Sequence, residues 1–175
     1  TQDIFYDDPD VLYVSTHQSP LYPGSGSMSE TGRGPGTGFT VNVPLPPGVG
    51  DAGFAQVFEE VVLPSLDRFR PDAVLVSLGF DAHWADPLAS INLSLTGYVR
   101  LARLLIEGAR AWCQGRIIFV MEGGYDLEVL ALGWANIVRA LLDEDTPVDP
   151  LGVRDTWSPN VGAITEELRR IHGLR

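Results

Sequence analysis

From Phe54 onward the apolar positions Phe54, Val57, Phe58, Val61, Val62 and Leu66 recur at helical spacing, the mark of an amphipathic helix with one buried face. Pro71 breaks that pattern, and an unbroken apolar run, "AVLVSL", follows at 73–78. Such a run reads as a parallel strand buried on both faces. A second helix is expected from about Thr96 to Trp112, with Tyr98, Leu101, Leu104, Leu105 and Ala109 on one side. "RIIFVM" at 116–121 repeats the buried-strand signature, and "LEVLALGWANIVRALL" at 127–142 repeats the helical one. Near the start, "VLYVS" at 11–15 and the alternating "FTVNVPL" at 39–45 read as extended segments. A long Gly/Pro/Ser loop separates them, and loops of that length without secondary structure are usually functional or disordered. Beyond Thr146, "PVDPLG" reads as a connector and "TEELRRIHGL" as a short terminal helix; no internal repeat is visible.

Helices alternating with buried strands predict an α/β fold with a mostly parallel sheet. In such sheets ligands bind outside the carboxyl ends of the strands. Three strands deliver loops there: "THQSPLYPG", "GFDAHWADP" and "EGGYD". Topology alone therefore expects His17, Tyr22, Asp81 and Tyr125 along one rim.

Composition narrows the function classes. The 175 residues suffice for one domain with a core of its own. Twenty-three acids against 12 lysines and arginines give a net charge of −11, which disfavours a nucleic-acid partner. A metal ion or a cationic substrate suits that charge better, as does plain solubility. The lone Cys113 excludes an internal disulfide and fits a reducing compartment, so a cytoplasmic setting is expected. No stretch approaches the ~20 apolar residues of a membrane span, and no signal-peptide pattern opens the chain. It begins at Thr1 and enters a strand almost at once, as expected of a segment cut from something longer.

Several residues at the rim carry candidate chemistry. Asp81 reads either as a metal ligand or as an Asx-turn or N-cap residue. Asp86, before Pro87, reads as a turn former. His83 reads as a ligand, a supporting partner or an exposed ring, and His17 as a base or a structural hydrogen-bonder. In "EGGYD" two glycines let the backbone approach closely and free the Tyr125 phenol to project. A phenol can donate to a developing oxyanion; the alternative is a tyrosine packed against the next helix. "GSGSMSETGRGPGTG" lacks the Lys-Ser/Thr of a P-loop, and no GxGxxG opens a helix, so nucleotide binding is disfavoured.

Taken in order, "TQDIFYDDPDVLYVSTHQSPLYPGSG", "GTGFTVNVPL", "RPDAVLVSLGFDAHWADPL", "LSLTGY" and "VMEGGYDL" resemble the zinc-dependent histone deacetylase and acetylpolyamine amidohydrolase superfamily, in its class II and bacterial branch. The resemblance covers residues 1 to about 145, with 146–175 as C-terminal connector and helix. It implies the arginase/deacetylase three-layer α/β sandwich, incomplete at the N-terminal side, and zinc-dependent hydrolysis of an acetylated lysine or polyamine.

By that resemblance Asp81 is a zinc ligand and Tyr125 the phenol that polarises the substrate carbonyl. Tyr22 and Leu88 are walls of the acyl-lysine tunnel, which Gly123 and Gly124 line beside the tyrosine. Ser15 and the Thr16 carbonyl belong to one potassium or sodium site. The carbonyls of Phe5, Asp8, Val11 and Phe39 belong to another. The family's "DxDxHHGNG" segment, with the other zinc ligands, and its histidine bases are expected before Thr1. The chain by itself is therefore expected to be inactive, and either to self-associate or to need that N-terminal half. A non-catalytic binding or assembly module on the same fold is the alternative.

Overall fold

The structure is a computed structural model that describes residues 1–21, 23–144, 146–154 and 156–174. Strand β1 (Tyr13–Gln18) pairs in parallel with β2 (Thr40–Leu45), from Tyr13 opposite Thr40 to Gln18 opposite Leu45. Strand β3 (Val74–Leu78) pairs in parallel with β4 (Ile117–Met121), from Val74 opposite Ile117 to Leu78 opposite Met121. Among the described residues these form two separate two-stranded sheets. The alternation of strand and helix is as expected, but β1 starts two residues later than its apolar run.

The first helical segment is one rod in three parts: α1 (Asp51–Val57), a widened π turn (Phe58–Val62) and α2 (Leu63–Phe69). Pro64 explains the interruption. A proline inside a helix has no N–H to donate, and its ring crowds the carbonyl four residues back. A π turn inserts the slack that removes both conflicts. Arg70 then ends α2 in the left-handed region at φ 57°, donating its N–H to Leu66 O.

The long helix α3 (Leu95–Cys113) is started from outside itself. Ser94 Oγ accepts from Gly97 N at 2.9 Å, while Asp51 accepts from both Ser94 N and Ser94 Oγ, at 2.8 and 2.6 Å. The α1 N-terminus thus fixes the α3 N-terminus. Helix α4 (Leu127–Leu141) is capped by Asp126, whose carboxylate accepts from Glu128 N and Val129 N. The terminal helix α5 (Gly162–His172) buries Leu168 completely.

The core gathers Val41, Val43 and Leu45 of β2, Val57 and Val61 of the first rod, and Phe80 beyond β3, all at most 0% exposed. The expectation of a strand buried on both faces is corrected here. Leu75 on β3 is 71% exposed and Ile118 on β4 is 59% exposed, so one face of that pair is covered by α3 and α4 side chains and the other is open. An apolar run identifies a strand by content and cannot say how many faces are packed. Two further segments are more ordered than their composition suggests. Glu30 gathers the Gly26 and Ser27 N–H groups inside the long loop. The Asn136 amide exchanges two 2.8 Å hydrogen bonds with the Val148 backbone, tying the connector to α4.

Candidate active site

The ladder between β3 and β4 continues past the strand ends: Glu122 N donates to Leu78 O at 3.0 Å and Phe80 N to Gly123 O at 2.9 Å. The two loops therefore leave the sheet side by side. Phe80 anchors them. Its ring is fully buried, with ring centroids 4.8 Å from Tyr98 and 5.9 Å from Trp134. Tyr98 Oη in turn accepts from Ala82 N at 3.1 Å. Asp81 is thus held between two residues whose own positions are fixed.

Two glycines, Gly79 and Gly123, leave the space into which Asp81 turns. A β-carbon at Gly79 would lie 2.6 Å from Asp81 Oδ1. One at Gly123 would lie 3.0 Å from Asp81 Oδ2 and 3.5 Å from Tyr125 Oη. The carboxylate and the phenol therefore meet over the same bare backbone. Gly124, at φ +119°, holds a conformation that side-chain-bearing residues rarely adopt, and its β-carbon would touch Phe80. Tyr125 itself is 56% exposed: the phenol projects, as the alternative of packing on α4 would not allow.

Burial pushes the Asp81 carboxyl above its ordinary value; its own backbone N–H opposes the shift, and the charge of Asp86 adds to it. Burial likewise raises the Tyr98 phenol far above its ordinary value, reinforced by Asp81. A positive charge placed beside Asp81 would relieve both.

The other rim candidates separate. The end of β1 reaches the same loop through Gln18 Oε1, which accepts from Ser90 N at 2.7 Å. Tyr22 lies outside the described residues. Leu88 is exposed. His17 is a structural bridge: its Nε2 donates to Gly26 O at 3.0 Å, so in the neutral ring its Nδ1 accepts from Ser15 Oγ at 2.9 Å. Burial lowers its pKa, in keeping with that neutral form. His83 is fully buried, and its Nδ1 accepts from Ala85 N at 3.1 Å. The His83 ring is closed to solvent, and both His17 ring nitrogens are already engaged in hydrogen bonds.

Of the residues assigned to cation sites, Ser15 and Thr16 are adjacent on β1, opposite Asn42 and Val43. Phe5 and Asp8 close one turn, with Asp8 N donating to Phe5 O at 3.1 Å. Val11 just precedes β1, and Phe39 O accepts from Tyr13 N at 2.9 Å where the two strands begin.

Asp86 does more than form a turn. Its Oδ1 accepts from Leu88 N at 2.9 Å and its Oδ2 from Tyr125 N at 2.8 Å. The first bond follows from an aspartate before proline; the second joins residues 39 apart, and no local pattern signals it.

The donors present suit zinc in kind but not in number. Catalytic zinc takes about three protein ligands plus water, and among the described residues no three His, Cys, Asp or Glu side chains gather closely enough to hold a metal ion. Asp81 offers a single carboxylate, fewer donors than such a set takes.

A sequence model of the family described as "Histone deacetylase domain" matches residues 1–141. "Histone deacetylase 14, chloroplastic" of Arabidopsis thaliana is 47% identical over 146 residues, covering 83% of this chain and 34% of the relative. "Probable deacetylase" of Archaeoglobus fulgidus is 46% identical over 137 residues, covering 78% of this chain and 38% of its own length. The crystal structure of the HDA15 HD domain superposes with a TM-score of 0.83 at 33% identity, over 98% of this chain and 46% of that one. The histone deacetylase Clr3 gives 0.85 at 33% identity, over 98% of this chain and 29% of that one. The chain thus spans less than half the length of these relatives while sharing their fold nearly end to end, with its glycine-floored carboxylate and phenol in the matched region. It belongs to the histone deacetylase family.

Proposed function

We propose that the protein containing this chain is a zinc-dependent deacetylase that hydrolyses the amide of an acetylated lysine or acetylated polyamine. One observation carries the reading: the Asp81 carboxylate and the Tyr125 phenol converge over Gly123 at the C-terminal rim of a parallel strand pair. In this reading water adds to the amide carbonyl, the C–N bond breaks, and acetate and a free amine leave. Tyr125 donates its phenolic proton in a hydrogen bond to the oxygen that gains negative charge, a preorganised interaction stronger in the transition state than in the ground state. Leu88 and the Gly123–Gly124 backbone flank the acyl-amine stem. Asp81 contributes one zinc ligand, and the remaining ligands and the base come from outside this chain. The monovalent cation sites at Ser15 and Thr16, and at Phe5, Asp8, Val11 and Phe39, belong to the same proposal.

The test uses the full-length protein with acetyl-lysine peptide and acetylpolyamine substrates, measuring zinc content alongside turnover. Chelator-sensitive release of acetate, lost in Tyr125→Phe, supports the reading. A second reading, a binding or assembly module, is favoured by the open apolar face at Leu75, Ile118 and Val120, which suits the rest of the protein or a second copy. Full zinc loading with no hydrolysis of either substrate would select that module.

A further inference from the structure

We propose that Asp86 is a positioning residue, whose buried carboxylate sets where the Tyr125 phenol stands. The inference rests on the reading of Tyr125 as the oxyanion donor. Asp86 is only 7% exposed, and both of its oxygens are committed to backbone N–H groups. Oδ2 holds Tyr125 N at 2.8 Å, and Oδ1 holds Leu88 N at 2.9 Å.

Tyr125 sits between two special backbone positions: Gly124 at φ +119° before it, and the helix-capping Asp126 after it. A glycine hinge leaves the chain free to swing unless something fixes the next residue. The Asp86 hydrogen bond is that fixture. The Asp86 charge also bears on Asp81, adding to the burial that raises that carboxyl. A carboxylate offers acceptors on both oxygens, whereas the asparagine amide would turn a donor toward one of the two N–H groups.

The test compares Asp86→Asn with wild type in the full-length, zinc-loaded protein, each with Tyr125 intact and as Tyr125→Phe. A misplacement of about 1 Å in a catalytic group costs on the order of 100-fold. We expect kcat to fall roughly 10- to 100-fold, with KM within about twofold and zinc stoichiometry unchanged. In the Tyr125→Phe background the same substitution should change kcat less than about twofold, because groups acting through one another are not additive. An equal loss in both backgrounds, or loss of zinc together with kcat, would overturn the positioning role while leaving the reading of Tyr125 intact. Wild-type turnover in Tyr125→Phe alone would instead remove the reading on which the role rests.

A readout independent of turnover is the fluorine resonance of 3-fluorotyrosine at position 125. It should move toward the free amino acid's position or split in Asp86→Asn; an unchanged single line would overturn the proposal. Where Asp86→Asn does not fold, Asp86→Glu serves: it retains two acceptors displaced by a methylene, and the same pattern of kcat loss is expected.

Discussion

Gly133 lies in the interior of α4, where alanine would ordinarily stabilise a helix by about 1 kcal/mol. Here the opposite is expected. A β-carbon at Gly133 would stand 2.3, 2.5 and 2.7 Å from three carbons of the Phe80 ring. The ring cannot retreat easily, because it is fully buried against Tyr98 and Trp134 while its own β-carbon rests over Gly124. Overpacking a well-filled core costs about 1–3 kcal/mol, and confinement on three sides puts this site near the upper end. After the gain in helix propensity, Gly133→Ala should lose about 2 kcal/mol. Urea unfolding of the full-length protein measures it. The sharper assay is Gly133→Ala placed on Phe80→Leu, where the smaller side chain leaves room for the methyl. There the alanine should be neutral or should stabilise by up to about 1 kcal/mol, so the sign reverses between backgrounds. Because Phe80 immediately precedes Asp81, Gly133→Ala should also reduce zinc occupancy, and Phe80→Leu should restore part of it. A Gly133→Ala protein more stable than wild type with Phe80 intact would refute the packing account.

Tyr125→Phe in the full-length protein should lower kcat by about two to three orders of magnitude, the usual effect of one missing oxyanion donor, with zinc content unchanged; turnover within twofold of wild type would exclude the donor role. Asp81→Ala should lose the metal, since a catalytic set of about three protein ligands tolerates little subtraction; equal zinc occupancy in wild type and variant, by elemental analysis, would exclude Asp81 as a ligand. Burial lowers the His83 pKa below its ordinary 6.5, and protonating Nδ1 would turn it from acceptor to donor facing Ala85 N. Stability linked to His83 is therefore present above pH 6.5 and lost as pH falls toward the folded-state pKa; urea midpoints should drop from pH 7 to 5.5 more steeply in wild type than in His83→Gln, and parallel slopes would count against it.

The sequence was most legible where a feature repeats locally. Helical spacing of apolar residues located α3 and α4 to within a residue or two at each end, and the paired glycines of "EGGYD" pointed to a phenol free of its own helix. Features set by distant partners were not legible. Pro64 sits within the run from Phe54 to Leu66, yet its accommodation by a widened turn is a backbone event that apolar spacing cannot register. His83 stood open among three readings because the reach of Ala85 N to its ring depends on how the loop folds. The open face of β3 and β4 escaped the reading because apolar content measures what a strand can bury, and only its surroundings determine what it does bury.

The rim joins these local and distant features. The backbone past β3 and β4 continues the parallel ladder through Glu122 N and Phe80 N, so the C-terminal position of Asp81 and Tyr125 follows from strand direction, as topology expects. Their close approach over Gly123 requires more. Phe80 must fill the space under the loops, which requires glycine at 124 and 133; Tyr98 must hold Ala82 N; and Asp86 must hold Tyr125 N. Three of these supports come from α3, α4 and the opposite loop, none adjacent in sequence to both site residues. Substitutions at the supports should therefore change the geometry of the site while leaving the Asp81 and Tyr125 side chains themselves chemically intact.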